Sequence, residues 1–367
     1  MIDVSIIITF YQNINILKSC LDGLQNTTKD FYGQIQVIIV NDNPTINLND
    51  ISEIYARIFD LSIYTMPRNC GYSAACNIGV SLSKYDNIVL MDCDIMPGNG
   101  WLNNIIGTYM DINCDGFVSA NIIDMSTNKM FGYGFGVYGM DTIHFLQNRE
   151  LSLCPLNDMD FPIISSGCMM LPKRLYIEYG GQDELFINAF NDFELTYKNY
   201  KNGHKNRMSR KAIVFHRGHV AGNVRTNFYA DSKIHFFKKL DSEIEEITVQ
   251  ILKTIYLHSD IPPIKKAMSI NFSNSLLRAD YINIFAKVKG IDILKQYDFK
   301  NISGGQIIIN DHLTWEVCRT DIPIIYFCDD FLQIKNNYYW FSNRKNKNDI
   351  IFDRHANVIQ VKDIFNK

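Results

Sequence analysis

The chain has 367 residues, of which 47% are hydrophobic and 20% charged, with a formal net charge of −3. Its length favours two domains, and its composition excludes a disordered chain. The charge balance offers no basic surface of the kind that holds nucleic acid or an anionic membrane.

The first elements alternate strand and helix. VSIIITF at Val4–Phe10 is a short apolar run rich in β-branched residues, a strand buried on both faces. Ile14, Leu17, Cys20, Leu21 and Leu24 then recur at helical spacing. Residues 34–42 form a second buried strand, stopped by Asn43-Pro44. Residues 51–59 read as a helix and 61–67 as a strand ending at Pro67. The small residues of GYSAACNIGVSLS suit a helix packed closely on a sheet, and a strand over 85–92 and a helix over 101–110 follow. This order predicts an α/β fold: a Rossmann-like, mostly parallel sheet with helices on both faces.

Beyond about residue 115 the rhythm changes. GFVSANI, KMFGYGFGVYG and IISSGCMML read as strands separated by glycine turns. A helix is expected at roughly 192–202, a strand at KAIVFH, and a helix from about Tyr229 to residue 258, with Pro262-Pro263 as the break. YYWFSN, DIIFD and NVIQVKDIF close the chain as strand-like runs. A boundary near 235 divides a domain over 1–235 from a smaller C-terminal α+β region over 236–367.

Nine cysteines at irregular spacing, with no C-x-x-C, argue against a disulfide framework or a zinc site. A strand-like run begins within the first few residues, so no signal peptide is expected. No apolar stretch approaches the ~20 residues of a membrane span. The expectation is a cytoplasmic protein; peripheral contact with the inner face of a membrane is compatible with this. The sequence sets no oligomeric state.

The chemistry begins at VLMDCDIMP, where a buried strand ends in Asp92 and Asp94. A D-x-D pair suits Mg²⁺ or Mn²⁺, which take one or two carboxylates and fill other positions with substrate phosphate oxygens and water. The spelling alone is weak, because Asp158 and Asp160 repeat it. Position separates the pairs: ligands of open α/β sheets bind beyond the carboxyl ends of the strands, and only the first pair follows a predicted strand. Thr9, Tyr11, Asp42, Arg68 and Asn69 lie at or just past three other strand ends. Together they offer a hydroxyl, an aromatic face, a carboxylate and a cation, a set that suits a nucleoside diphosphate.

VSIIITFYQN, VIIVNDNPT, NCGYSAACNIGV, VLMDCDIMPGNGWL and GGQDELFINAFNDFEL occur in the order and approximate spacing of family 2 glycosyltransferases of the GT-A fold. The resemblance covers roughly residues 2–220. It implies inverting transfer of a sugar from a nucleotide-sugar donor, with UDP-sugars favoured and Mn²⁺ or Mg²⁺ as cofactor. The acceptor would be a glycan, a lipid-linked molecule or a protein, in surface polysaccharide or glycoconjugate synthesis.

By the same resemblance Thr9, Tyr11, Asp42, Arg68, Asn69, Asp92 and Cys93 border the donor. Asp94, Asp92 and His216 form the metal set, with His219 a second choice to His216. Asp192 is the catalytic base, and Asp183, Glu184 and Asn191 lie on the acceptor side. Ser165–Cys168 matches a stretch near the donor sugar. Asn191 stands where the family carries glutamate; with Glu194 three residues on it also has the form of a capping box. Two other readings stand beside this one. A sugar-1-phosphate nucleotidyltransferase would carry a glycine-rich phosphate loop with a basic residue, which TFYQN lacks. A non-catalytic sugar-nucleotide-binding scaffold is suggested by Asn191 and by the C-terminal portion, which carries no nameable motif.

Overall fold

The computed structural model describes residues 2–138, 141–144, 146–148, 150–154, 156–187, 189–218 and 223–240, and beyond them six short strands between 266 and 360. The chain divides into a first unit, 1–135 with 148–241, and a second, 136–147 with 242–367.

The first unit opens with β1 (Val4–Phe10), α1 (Ile14–Thr27), β2 (Ile35–Asn41), α2 (Asn49–Tyr55), β3 (Asp60–Thr65) and α3 (Tyr72–Ser81). It continues with β4 (Asn87–Asp92), β5 (Ile95–Pro97), α4 (Trp101–Asp111), β6 (Gly116–Asp124) and β7 (Lys129–Gly132). Next in the chain, the pair β8 (Phe135–Tyr138) and β9 (Asp141–His144) belongs, from Gly136 on, to the second unit. The first unit ends with β10 (Met159–Asp160), β11 (Cys168–Pro172), α5 (Lys173–Glu178), α6 (Asn191–Lys201), β12 (Lys205–His216) and α7 (Asn223–Leu240).

Ten strands form one mixed sheet in the order β10-β12-β6-β11-β4-β1-β2-β3, with β5 added to β12 and β7 to β6. Strands β4, β1, β2 and β3 run parallel. Strand β11 is antiparallel to both neighbours and joins them to the parallel pair β6 and β12. The predicted α/β architecture is therefore present. Every residue of β1 is buried, as its unbroken apolar run requires. Asn13 starts α1 by accepting the Ile16 amide at 3.3 Å; Leu17, Cys20, Leu21 and Leu24 then face Ile6, Ile8, Val37 and Met91 in one apolar core. On the other face, α3 packs tightly: a Cβ at Gly79 would lie 2.2 Å from Ile7 Cγ2.

Four expectations change. IISSGCMML is a strand only from Cys168; Ser165–Gly167 is a loop whose amides bond to side chains instead of a ladder. The strand at KAIVFH begins six residues earlier, at Lys205, and its register shifts between Ser209 and Ile213. That bulge breaks the period-two pattern and hides the first half. The late helix starts at Asn223 rather than Tyr229. Asp160 lies in β10, paired with β12, and Asp158 just before it, where no strand was expected.

In the second unit, β13 (Lys266–Met268), β14 (Asp292–Leu294), β15 (Gln306–Asn310), β16 (Ile324–Cys328), β17 (Ile350–Asp353) and β18 (Val358–Gln360) form a sheet. Its order is β14-β13-β15-β16-β17-β18, parallel except at β17–β18. The strands expected at DIIFD and NVIQVKDIF correspond to β17 and β18. Residues 241–258 and YYWFSN lie outside the described residues. Among the described residues, no helix is long and apolar enough to cross a membrane.

Candidate functional site

The carboxyl ends of β1, β2 and β4 lie side by side, because Thr9 is in register with Val40 and Asp92, and Phe10 with Asn41. Asp92 ends β4 and Asp94 occupies the turn into β5. Strand β5 then pairs with the end of β12, placing Ile95 opposite His216. That pairing brings three distant residues together. His216 Nε2 lies 3.3 Å from Asp94 Oδ2, and the Arg217 amide donates to the Asp94 carbonyl at 3.0 Å. Asp92, Asp94 and His216 each offer a ligand atom, all within 4.8 Å of one another, and all three residues are half-buried. Phe131 packs edge-on against the His216 ring. Two hard carboxylates and one imidazole suit Mn²⁺ better than Mg²⁺. Cys93, between the two aspartates, packs on the apolar core, and burial followed by the charge of Asp94 pushes its thiol well up. His219 lies outside the described residues.

The second D-x-D pair is consumed structurally. Asp160 takes a bidentate pair from Arg207 at 2.6 and 2.9 Å. Asp158 accepts the Thr108 hydroxyl and the Arg210 amide, each at 2.7 Å.

One loop ties Asp92 to Asp192. The Gly167 carbonyl accepts the Asp92 amide at 3.0 Å, and the neighbouring Ser166 amide donates to Asp192 Oδ2 at 3.2 Å. The other oxygen of Asp192 accepts the Phe193 amide at 3.0 Å. Asp192 is half-buried in the first turn of α6, where the helix dipole favours a carboxylate. The capping box does not form. Phe190 is the N-cap and carries no side-chain cap, Asn191 is already helical and buried, and Glu194 turns to Lys198 and Lys239 at 2.8 and 2.6 Å.

On the strand-end edge, Asp42 clamps the loop before α3. Its oxygens accept the Cys70 amide at 2.7 Å and the Gly71 amide at 2.8 Å. Burial raises its pKa against the pull of those two amides. Asn41 is buried and bonds to the Ile46 carbonyl and the Asn43 amide. Thr9 is buried, Tyr11 half-buried, and Arg68 and Asn69 are exposed. Tyr72, which the sequence reading did not single out, opens α3 beside Asp92 and Ser166. Burial first, then the charge of Asp92, pushes its hydroxyl well above the ordinary range. Only its place one residue after Gly71 hinted at a position near the site.

The turn at Gly180-Gly181, both at positive φ, leads to Asp183 and Glu184. Glu184 is exposed and accepts from Asn77 at 3.0 Å. Asp183 is gripped by α7: Lys239 at 2.9 Å and His235 at 3.4 Å. Burial pushes Asp183 up, but Lys239, the Leu185 amide and His235 outweigh it and hold the carboxyl at about 2.

The family model described as glycosyl transferase family 2 matches residues 5–176. Over 293 residues the chain is 23% identical to the chondroitin synthase of Escherichia coli, covering 69% of this chain and 42% of that protein. Over 228 residues it is 30% identical to the hyaluronan synthase of Pasteurella multocida, covering 55% of this chain and 23% of that protein. The chain therefore spans less than half the length of these curated relatives. A crystal structure of GalNAc-T7 with UDP, GalNAc and Mn²⁺ superposes with a TM-score of 0.50 at 14% identity, covering 78% of this chain and 56% of that chain. That likeness is one of fold: the GT-A architecture.

Proposed function

Because residues 5–176 of this chain belong to glycosyl transferase family 2, we propose that the protein transfers a sugar, with inversion, from a UDP-sugar to a hydroxyl acceptor. The observation that carries the reading is the closure of Asp92, Asp94 and His216 into one donor set within 4.8 Å, tied through Ser166-Gly167 to Asp192. The synthase relatives favour a growing glycan as acceptor, in surface polysaccharide or glycoconjugate synthesis, over a lipid-linked molecule or a protein. A cytoplasmic setting, with peripheral contact to the inner face of a membrane, belongs to the same proposal. The chemistry is assigned to the first unit.

A divalent cation, with Mn²⁺ preferred, would be held by Asp94, His216 and Asp92, and would neutralise charge growing on the leaving diphosphate. Asp42, Thr9, Tyr11, Arg68 and Asn69 border the nucleotide, and the Cys93 backbone lies between the two aspartates. Asp192 receives the proton of the acceptor hydroxyl. The acceptor oxygen forms its bond to the anomeric carbon from the face opposite the diphosphate. The bond from that carbon to the diphosphate oxygen breaks, and the nucleoside diphosphate leaves with the electron pair. Ser166 and Phe193 donate to Asp192 from the backbone and fix its direction, while Asp183, Glu184 and Asn191 shape the acceptor side.

The test uses a panel of UDP-sugars (glucose, galactose, N-acetylglucosamine, N-acetylgalactosamine and glucuronic acid) with Mn²⁺, read as UDP release. Wild type should turn over at least one donor. Asp192→Asn should lose about a hundredfold or more in rate while binding UDP as before. Full turnover in Asp192→Asn sinks the base; UDP binding without any turnover in wild type favours the scaffold reading.

A further inference from the structure

We infer that Lys239 is a positioning residue for this reaction: it fixes the start of α6, and with it Asp192, by bridging two carboxylates from separate parts of the chain. The inference rests on Asp192 as base. Lys239 Nζ lies 2.6 Å from Glu194 Oε1 and 2.9 Å from Asp183 Oδ2. The Glu194 side chain is 3% exposed and sits two residues after Asp192, on the same first turn. Asp183 belongs to the turn that feeds α6. One ammonium thus ties the helix start to the loop that precedes it. Burial lowers the affinity of Lys239 for its proton, but its two carboxylates raise it by more, so the bridge stays charged.

A second observation lies on the same helix. Phe190, immediately before α6, has φ 63° and ψ 0°, the left-handed region, which a bulky side chain rarely adopts. Such a conformation persists where its surroundings over-determine it. Here the rings of Tyr229, Phe236 and Phe237 from α7 and Phe193 from α6 surround Phe190 at centroid distances of 5.2–6.3 Å. The direction in which α6 leaves this residue sets where Asp192 points. Helix α7 therefore holds the base from two sides, by charge through Lys239 and by packing through its rings.

The metal and nucleotide residues come from β1, β2, β4, β12 and the loop before α3, none of which Lys239 touches by hydrogen bond or ion pair. Loosening the bridge should displace the base without disturbing the donor, and proton transfer is steeply sensitive to placement. The full chain carrying Lys239→Met or Lys239→Arg is compared with wild type for UDP release from the same UDP-sugar panel and for UDP affinity with Mn²⁺. Lys239→Met should lower kcat about tenfold or more and leave UDP affinity within about twofold. Lys239→Arg, which keeps the charge, should recover most of the rate. Wild-type kcat in Lys239→Met, or a parallel loss of kcat and UDP affinity, overturns the inference. If Lys239→Met does not fold, Glu194→Gln keeps the shape, removes the buried charge and is judged by the same split. Turnover in Asp192→Asn would remove the base itself. An inactive Asp192→Asn beside an unimpaired Lys239→Met would remove only the role of Lys239.

Discussion

Asp183 shows what the grip of α7 does to a carboxylate in the folded chain. Its folded pKa of about 2 lies below the ordinary 3.8, so the interaction stabilises the fold fully above about pH 4 and is lost as pH falls through about 2. Thermal melts of wild type and Asp183→Asn should therefore differ most at neutral pH and converge as pH drops from 4 towards 2. A gap that stays constant across that window would contradict the ion pair. At this scale the gathering of Asp92, Asp94 and His216 was legible, the pair from its place after a buried strand and the histidine from the family resemblance. Tyr72 and Lys239 were not. Lys239 meets Asp183 across 56 residues, and nothing local in KKL distinguishes it from a solvated helix face. Glu194 looked like a cap for the same reason: its lysine partner on α7 has no local signature.

At the scale of elements, the apolar pattern carried the reading through β1, α1, β2 and β4, where each element buries a continuous face. It failed where side chains compete with the backbone ladder. Ser165–Gly167 has strand-like neighbours, yet its amides serve Asp192 and Ser165. The bulge in β12 shifts the pairing that later presents His216 to Asp94. The small-residue helix α3 was read for close packing, and Gly79 sets how close. Its missing Cβ leaves room for Ile7 Cγ2 at 2.2 Å and Val40 Cγ2 at 3.3 Å from the Cβ position. Gly79→Ala should cost about 1–3 kcal/mol, roughly 2–12 °C in Tm for a domain of this size, by scanning calorimetry. An unchanged Tm would mean that α3 can withdraw from the sheet without penalty.

For the whole molecule, the parallel strands β4-β1-β2-β3 gather the site at one edge, and the antiparallel β11 links that edge to β6 and β12. This topology explains why five motifs spread over two hundred residues describe one place. The order of motifs was visible in the sequence, but the geometry that closes Asp92, Asp94 and His216 depends on β5, a three-residue strand too short to carry a period. The proposed metal dependence of nucleotide binding rests on that closure. The measurement that tests it most directly is calorimetric titration of UDP into wild type and Asp94→Ala, each with Mn²⁺ and with chelator. Mn²⁺ should tighten UDP binding to wild type by about tenfold or more, about 1.4 kcal/mol, and Asp94→Ala should show little response to the metal. Equal UDP affinity in wild type with and without Mn²⁺, or an undiminished metal response in Asp94→Ala, would contradict it.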